Sequence, residues 1–196
     1  MARGPNKQFD VDEVLEKAIN VFARRGYEAA TMSELLTEMG IGKKSLYDTF
    51  GNKESLFFKA TGRYARLTYN DISERLNKPG SPLQNIRALF THWKEVNGKP
   101  GSCGCLLGTS IADFNTDDTD VALLMRGHLQ RVEDLYVQTL KRAQDQGEIA
   151  ENADVISIAR MLLCASQGMS LLGRVMENGE MLSGVVDGIF TLLDKE

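Results

Sequence analysis

The stretch TMSELLTEMGIGKKSLYDTF, residues 31–50, decides how this chain is read. Thr31, with Glu34 three residues on, is a capping box that opens a short helix carrying Leu35, Leu36 and Met39. Gly40-Ile41-Gly42 turns the chain, and a second short helix runs from about Lys43 to Thr49. Two short helices joined by such a turn have the length and chemistry of a helix-turn-helix. At about 100° per residue, Leu46 and Phe50 fall together and pack inward, while Lys44, Ser45 and Asp48 face the other way. Lysines meet phosphates as point charges, and Ser and Asp can reach base edges, Asp by accepting from a cytosine amino group. Tyr47 lies between the faces, within reach of a phosphate.

Outward from this stretch the apolar residues recur at spacings of three and four, and no hairpin signal separates alternating β-branched runs, so the chain reads as all-α. Asp10 caps a first helix to about Arg25, with Glu13 completing a capping box and Gly26 ending it. Asn52 caps a long helix to about Asn77, and Ser81-Pro82 opens one through Trp93. Further helices are predicted over Leu106 to Phe114, Thr119 to Gln146, Ala153 to Glu177 opened by Asn152, and Glu180 to Leu193.

The 196 residues carry 27 acidic and 23 basic side chains, a net charge of −4 that read alone argues against nucleic acid. The charge is unevenly placed. Residues 1–66 sum to +2 and residues 41–66 to +4, whereas the remaining residues sum to −6, so the acidity belongs to the C-terminal part. The longest uncharged stretch, Met161 to Gly173, is too short and polar to span a bilayer, and no apolar run follows Arg3 and Lys7 to make a secretion signal. Three cysteines do not form a closed disulfide framework. These features predict a cytoplasmic protein with free thiols and no membrane partner.

Phe22-Ala-Arg-Arg-Gly26-Tyr27, Thr31 with Leu35, Met39-Gly40-Ile41, and above all Ser45-Leu46-Tyr47-Asp48-Thr49-Phe50-Gly51-Asn52-Lys53-Glu54-Ser55-Leu56 resemble the DNA-binding domain of the tetracycline-repressor (TetR) family. The likeness covers about residues 10 to 60. It departs from the usual motif at Gly42, where Ser or Thr is common, and at Thr49, where His or Tyr is common. The resemblance implies a three-helix head at residues 1–50 with the helix-turn-helix at 31–50. It also implies a connecting helix at 51–78 and a helical ligand-binding and dimerisation domain at 79–196. It implies that Thr31 caps the second helix and meets phosphate, that Lys43, Lys44, Ser45, Asp48 and Thr49 belong to the DNA-facing helix, and that Tyr47 and Lys53 contact phosphates. Each residue also has a plainer reading: Thr31 as a cap alone, Tyr47 as packing, Lys53 as a surface lysine. Arg3 and Lys7 fit an arm along the minor groove.

The last two helices resemble in position the family's dimerisation pair. Met161, Leu162, Ala165, Gly168 and Leu172 are the candidate interface, because small residues let helix axes approach and the larger ones supply apolar area. Phe90, Trp93, Met125, His128, Met161 and Cys164 are candidates to line a pocket for a small-molecule effector, although core packing explains most of them. Cys103-Gly104-Cys105, in a glycine-rich loop before a helix, is a candidate redox or electrophile sensor; its spacing is not that of a metal site, and no cofactor is expected. The leading function is a ligand-responsive DNA-binding regulator, a homodimeric repressor on a pseudo-palindromic site of double-stranded DNA. One alternative is a repressor that senses oxidants through Cys103 and Cys105; another is a helical interaction module without specific DNA binding. No nucleophile, base or metal constellation points to an enzyme.

Overall fold

The computed structural model describes residues 9–110, 119–176 and 179–193. Its helices are α1 (Val11–Arg25), α2 (Met32–Met39), α3 (Lys43–Phe50), α4 (Lys53–Leu76), α5 (Pro82–Asn97), α6 (Leu106–Ser110), α7 (Thr119–Asp145), α8 (Val155–Leu172) and α9 (Glu180–Leu193). Among the described residues there is no strand. The expected arm at Arg3 and Lys7, and the predicted helix ends at Phe114 and Glu177, lie outside the described residues.

Capping side chains start most of these helices. Asp10 Oδ1 accepts from the amides of Asp12 (2.8 Å) and Glu13 (3.4 Å), Thr31 Oγ1 from Glu34 (3.2 Å), Asn52 Oδ1 from Ser55 (2.8 Å) and Ser81 Oγ from Gln84 (3.0 Å). The glutamates of the two boxes take other partners: Glu13 pairs with Lys17 at 2.7 Å and Glu34 with Arg25 at 3.0 Å. α5 continues to Asn97, beyond the expected end at Trp93, because nothing in Lys94-Glu95-Val96 breaks it before Gly98. α8 is capped by Asp154, whose Oδ1 accepts from Ile156 and Ser157 at 3.1 Å each. Asn152 is excluded from that role because the Gln144 amide, donating to Ala150, Glu151 and Ala153 carbonyls, holds residues 150–153 as a turn.

Two apolar cores result. One joins α1 to α4 around Phe22, Leu35, Leu46, Phe50 and Phe57, and is completed by Leu106 and Leu107 of α6 and Val121 and Met125 of α7. The other lies among the distal half of α4 and α5, α7, α8 and α9, around Leu89, Phe90, Tyr136, Leu162 and Phe190. Phe90 packs edge-on to Trp93 and Phe190 with ring centres 5.3 and 6.4 Å apart.

α8 is long and apolar enough to cross a membrane by length and composition alone. The uncharged stretch counted from Met161 understates it, because a single charge, Arg160, interrupts a longer apolar run. Part of that apolarity is spent inside the protomer, where Val155, Ala159, Leu162 and Met169 are buried. Leu162 is fully enclosed there and is corrected from the expected interface set: at helical periodicity it points opposite to Cys164.

Candidate nucleic-acid interface

The head presents α3 as the periodicity requires. Leu46 and Phe50 are 0% and 1% exposed and fix the helix to the core, while Lys43, Lys44 and Asp48 are exposed and Tyr47 is 46% exposed. Ser45 and Thr49 are half-buried at the edges of that face, and Thr31 is exposed at the start of α2. Gly40, at φ 67°, takes the left-handed conformation that turns the chain between the helices. Gly42 caps α3 with no side-chain hydrogen bond, so the first-turn amides have no side-chain partner there, and Lys43 and Lys44 add charge to the positive end of the helix. Together these form an anion-receptive end on an exposed polar face.

Two lysines of α4 hold this arrangement. Lys59 Nζ donates to the carbonyls of Thr49 (3.1 Å) and Phe50 (3.4 Å), capping the C-terminal end of α3. Lys53 Nζ donates to Glu28 O at 3.1 Å and lies 4.7 Å from the centre of the Tyr27 ring, so it braces the loop before α2. Arg63, also on α4, joins Asp12 (2.9 Å) and Glu16 (2.6 Å) of α1. The sequence reading missed Lys59 as a clamp.

Farther along α4 a cavity of about 190 Å³ opens between α4, α5, α7 and α8, lined among others by Tyr64, Trp93, Cys105, His128, Ser166 and Gln167. Of the expected pocket residues it gathers Trp93 and His128. Phe90 is fully buried in the distal core and Met125 is buried in the core shared with the head, because both sit where apolar stripes meet. Met161 packs at the edge of the distal core and Cys164 is exposed, so neither lines the cavity. Tyr64 was not anticipated. His128 is buried, and desolvation, with the Arg131 charge in second place, holds its pKa down to about 4, so the ring is neutral; it donates to the Ala65 carbonyl of α4. Burial raises the Tyr64 hydroxyl, which hydrogen-bonds with Cys105, above the usual phenol range.

The Cys103-Gly104-Cys105 loop lies against the end of α8. A Cβ at Gly104 would collide with the Ser170 carbonyl oxygen, and its φ is 67°, so both space and conformation require glycine. Arg174, just past α8, donates from one nitrogen to Ala23 O (3.2 Å) and Cys103 O (3.1 Å) and from the other to Arg24 O (3.5 Å). One guanidinium thus ties the C-terminal end of α1 in the head to the cysteine loop.

The family model for bacterial regulatory proteins of the tetR family matches residues 14–60, and that for the tetracyclin repressor-like C-terminal domain matches residues 82–189. The chain belongs to the TetR family of regulators. This TetR-family protein is 33% identical to the HTH-type transcriptional regulator YezE of Bacillus subtilis, over 97% of its own length and all of YezE. It is 30% identical to the HTH-type transcriptional repressor ComR of Escherichia coli, over 88% of the chain and 83% of ComR. Its fold is that of CifR, a TetR-family regulator solved as a cysteine variant with 26-bp operator DNA (TM-score 0.84, 24% identity, covering 94% of this chain and 97% of CifR). It is equally that of reduced E. coli NemR (TM-score 0.84, 19% identity, 94% and 97% covered). The function is DNA-binding transcriptional regulation, which decides against the interaction-module alternative.

Proposed function

We propose that this TetR-family regulator is a cytoplasmic homodimeric repressor that acts by binding alone and is released from its operator by a small molecule. The observation that carries the reading is α3, an exposed polar helix with a charged, uncapped N-terminal end, fixed by buried Leu46 and Phe50 and by Lys59. Lys43, Lys44, Ser45, Asp48 and Thr49 are assigned to the groove-facing helix, and Thr31, Tyr47 and Lys53 to phosphates. Lys53 keeps donors free for that contact besides the one given to Glu28. Residues 1–50 act as head, 51–78 as connector and 79–196 as effector and dimer body.

Two heads on a two-fold operator require a dimer, with half-sites about 34 to 36 Å apart. The outward face of α8 supplies the surface: Leu171 and Leu172 are 56% and 37% exposed, Cys164 is exposed, and Met161, Ala165 and Gly168 are half-buried around them. The apolarity of α8 is thereby accounted for on both sides. ComR is named a repressor and CifR was solved on operator DNA, which supports the same reading here. Effector in the cavity between α4 and α8 shifts the spacing of the heads, and a coupling of about 1 to 3 kcal/mol changes occupancy roughly 5- to 150-fold.

Selection from random duplexes, repeated with Lys44→Ala and Tyr47→Ala variants, tests the assignment. Wild type recovers a two-fold sequence whose affinity falls with salt at a slope of about −0.9 per phosphate contact. A flat salt dependence, or unchanged binding by both folded variants, rejects it. The alternative of an electrophile sensor keeps one favourable observation, that Cys105, a free cysteine, is among the residues that line the cavity. Iodoacetamide then weakens DNA binding by wild type and Cys103→Ser but not by Cys105→Ser.

A further inference from the structure

Arg174 joins the body to the head, and its root is held as firmly as its tip. Gly173, at the end of α8, packs so closely on the end of α5 that a Cβ there would sit 2.6 Å from Asn97 O. The Cγ and Cδ of Arg174 lie over Gly104, 3.2 and 3.3 Å from where a Cβ of that residue would be. The 101–105 loop beneath is itself ordered, since Ser102 Oγ donates to the side chain of buried Asn97 (3.4 Å) and accepts from the Gly104 amide (3.3 Å). At the tip, the guanidinium donates to Ala23 O at 3.2 Å and to Arg24 O at 3.5 Å. These are among the last carbonyls of α1, which have no partner within the helix and whose negative end suits a cation. Arg24 and Arg25 in turn pair with Glu38 and Glu34 of α2, at 3.6 and 3.0 Å. The end of α1 therefore moves with the helix-turn-helix.

We propose that Arg174 is a positioning residue for operator binding: it fixes the angle of the head on the body and so sets the half-site spacing that the dimer accepts. The inference rests on the two-headed reading above. Two other attachments cross from head to body, α4 itself and the apolar core that Leu106, Leu107, Val121 and Met125 share with Phe22 and Phe57. Burial of apolar surface has no direction, and packed helices slide past one another by small shears. Hydrogen bonds are directional, and a planar guanidinium that meets carbonyls of α1 and of the 101–105 loop at once tolerates little rotation. Arg174 thus distinguishes one head angle from its neighbours, which the apolar core alone does not. In a two-fold dimer a tilt of one head is repeated in the other, so the separation of the two α3 helices changes by twice the displacement. Arg174 is not among the residues assigned to DNA, so its removal alters where the heads sit and not what each head reads.

Full-length wild type and Arg174→Met are titrated, by fluorescence anisotropy at one salt concentration, with the selected two-fold duplex and with versions that have one base pair added or removed at the centre. A further duplex carries a single half-site. One base pair moves a half-site by about 3.4 Å and turns it by about 35°. Wild type is expected to prefer its own spacing at least tenfold. Arg174→Met is expected to narrow that preference to threefold or less while binding the single half-site within twofold of wild type. General destabilisation weakens every duplex alike and does not produce that split. If Arg174→Met fails to fold by circular dichroism, Arg174→Gln, too short to reach α1, makes the same comparison. A preference that stays above threefold, or an equal loss on every duplex, overturns the inference and leaves the dimeric reading standing. A wild type indifferent to spacing rejects the dimeric reading and the inference with it.

Discussion

Lowering the pH from 7 to 5 forces the buried imidazole of His128 to take up a proton that the fold resists. Its pKa is about 4 in the folded protein, against 6.5 for an ordinary histidine, chiefly because burial disfavours the charged ring and secondarily because Arg131 repels it. The unfolded chain therefore binds the proton first. A depressed folded value means that the stability is complete above 6.5 and is lost progressively as the pH falls toward 4. Between pH 7 and pH 5 the difference in proton uptake amounts to about 2 kcal/mol, or roughly 4 to 8 °C in Tm for a chain of this size. The assay is urea unfolding of wild type and His128→Leu at fixed protein concentration, since a dimer's stability depends on it. Subtracting the variant cancels the titration of every other group, so the wild-type advantage should shrink by about 2 kcal/mol from pH 7 to pH 5. An advantage that stays constant over that range refutes the buried neutral imidazole.

Lys59→Met should leave the Thr49 and Phe50 carbonyls without their cap, costing about 1 kcal/mol of stability and lowering affinity for the selected duplex, read by calorimetry and anisotropy. Arg174→Met should speed hydrogen exchange both at residues 24–30 and in the 101–105 loop; acceleration in only one of them would show that the arginine does not join the two. Leu171→Glu, on the exposed face of α8, should shift sedimentation from dimer to monomer while helicity is retained; an unchanged dimer places the interface elsewhere.

Local signals were legible and distant ones were not. Asp10, Thr31, Asn52 and Ser81 announce their helices because a cap needs only its own next three amides. Residues 152–154 offer both Asn152 and Asp154 as caps, and the choice falls to Gln144 on α7, which no local rule consults. Leu46 and Phe50 could be placed because α3 has one apolar side, whereas α8 is apolar nearly all round, so periodicity does not tell Leu162, facing the core, from Leu172, facing out. The cavity shows the same limit. Trp93 and His128 stand out by type, but Tyr64 joins them only when α4 has packed. Arg174 meets residues some 150 positions away, and nothing in its own neighbourhood distinguishes it from any arginine at a helix end.

The core that Phe22 and Phe57 share with Leu106, Leu107, Val121 and Met125 bears on how such regulators are recombined. A hybrid made by cutting at the end of α4 and grafting residues 1–76 onto a foreign body would carry half of an interior, and its success would depend on how well the host's corresponding helices fill the other half. Heads should exchange freely only between chains whose α6 and first turns of α7 are alike in volume. Moving those two segments with the head, and Arg174 with them, should turn incompatible grafts into working repressors of altered operator choice.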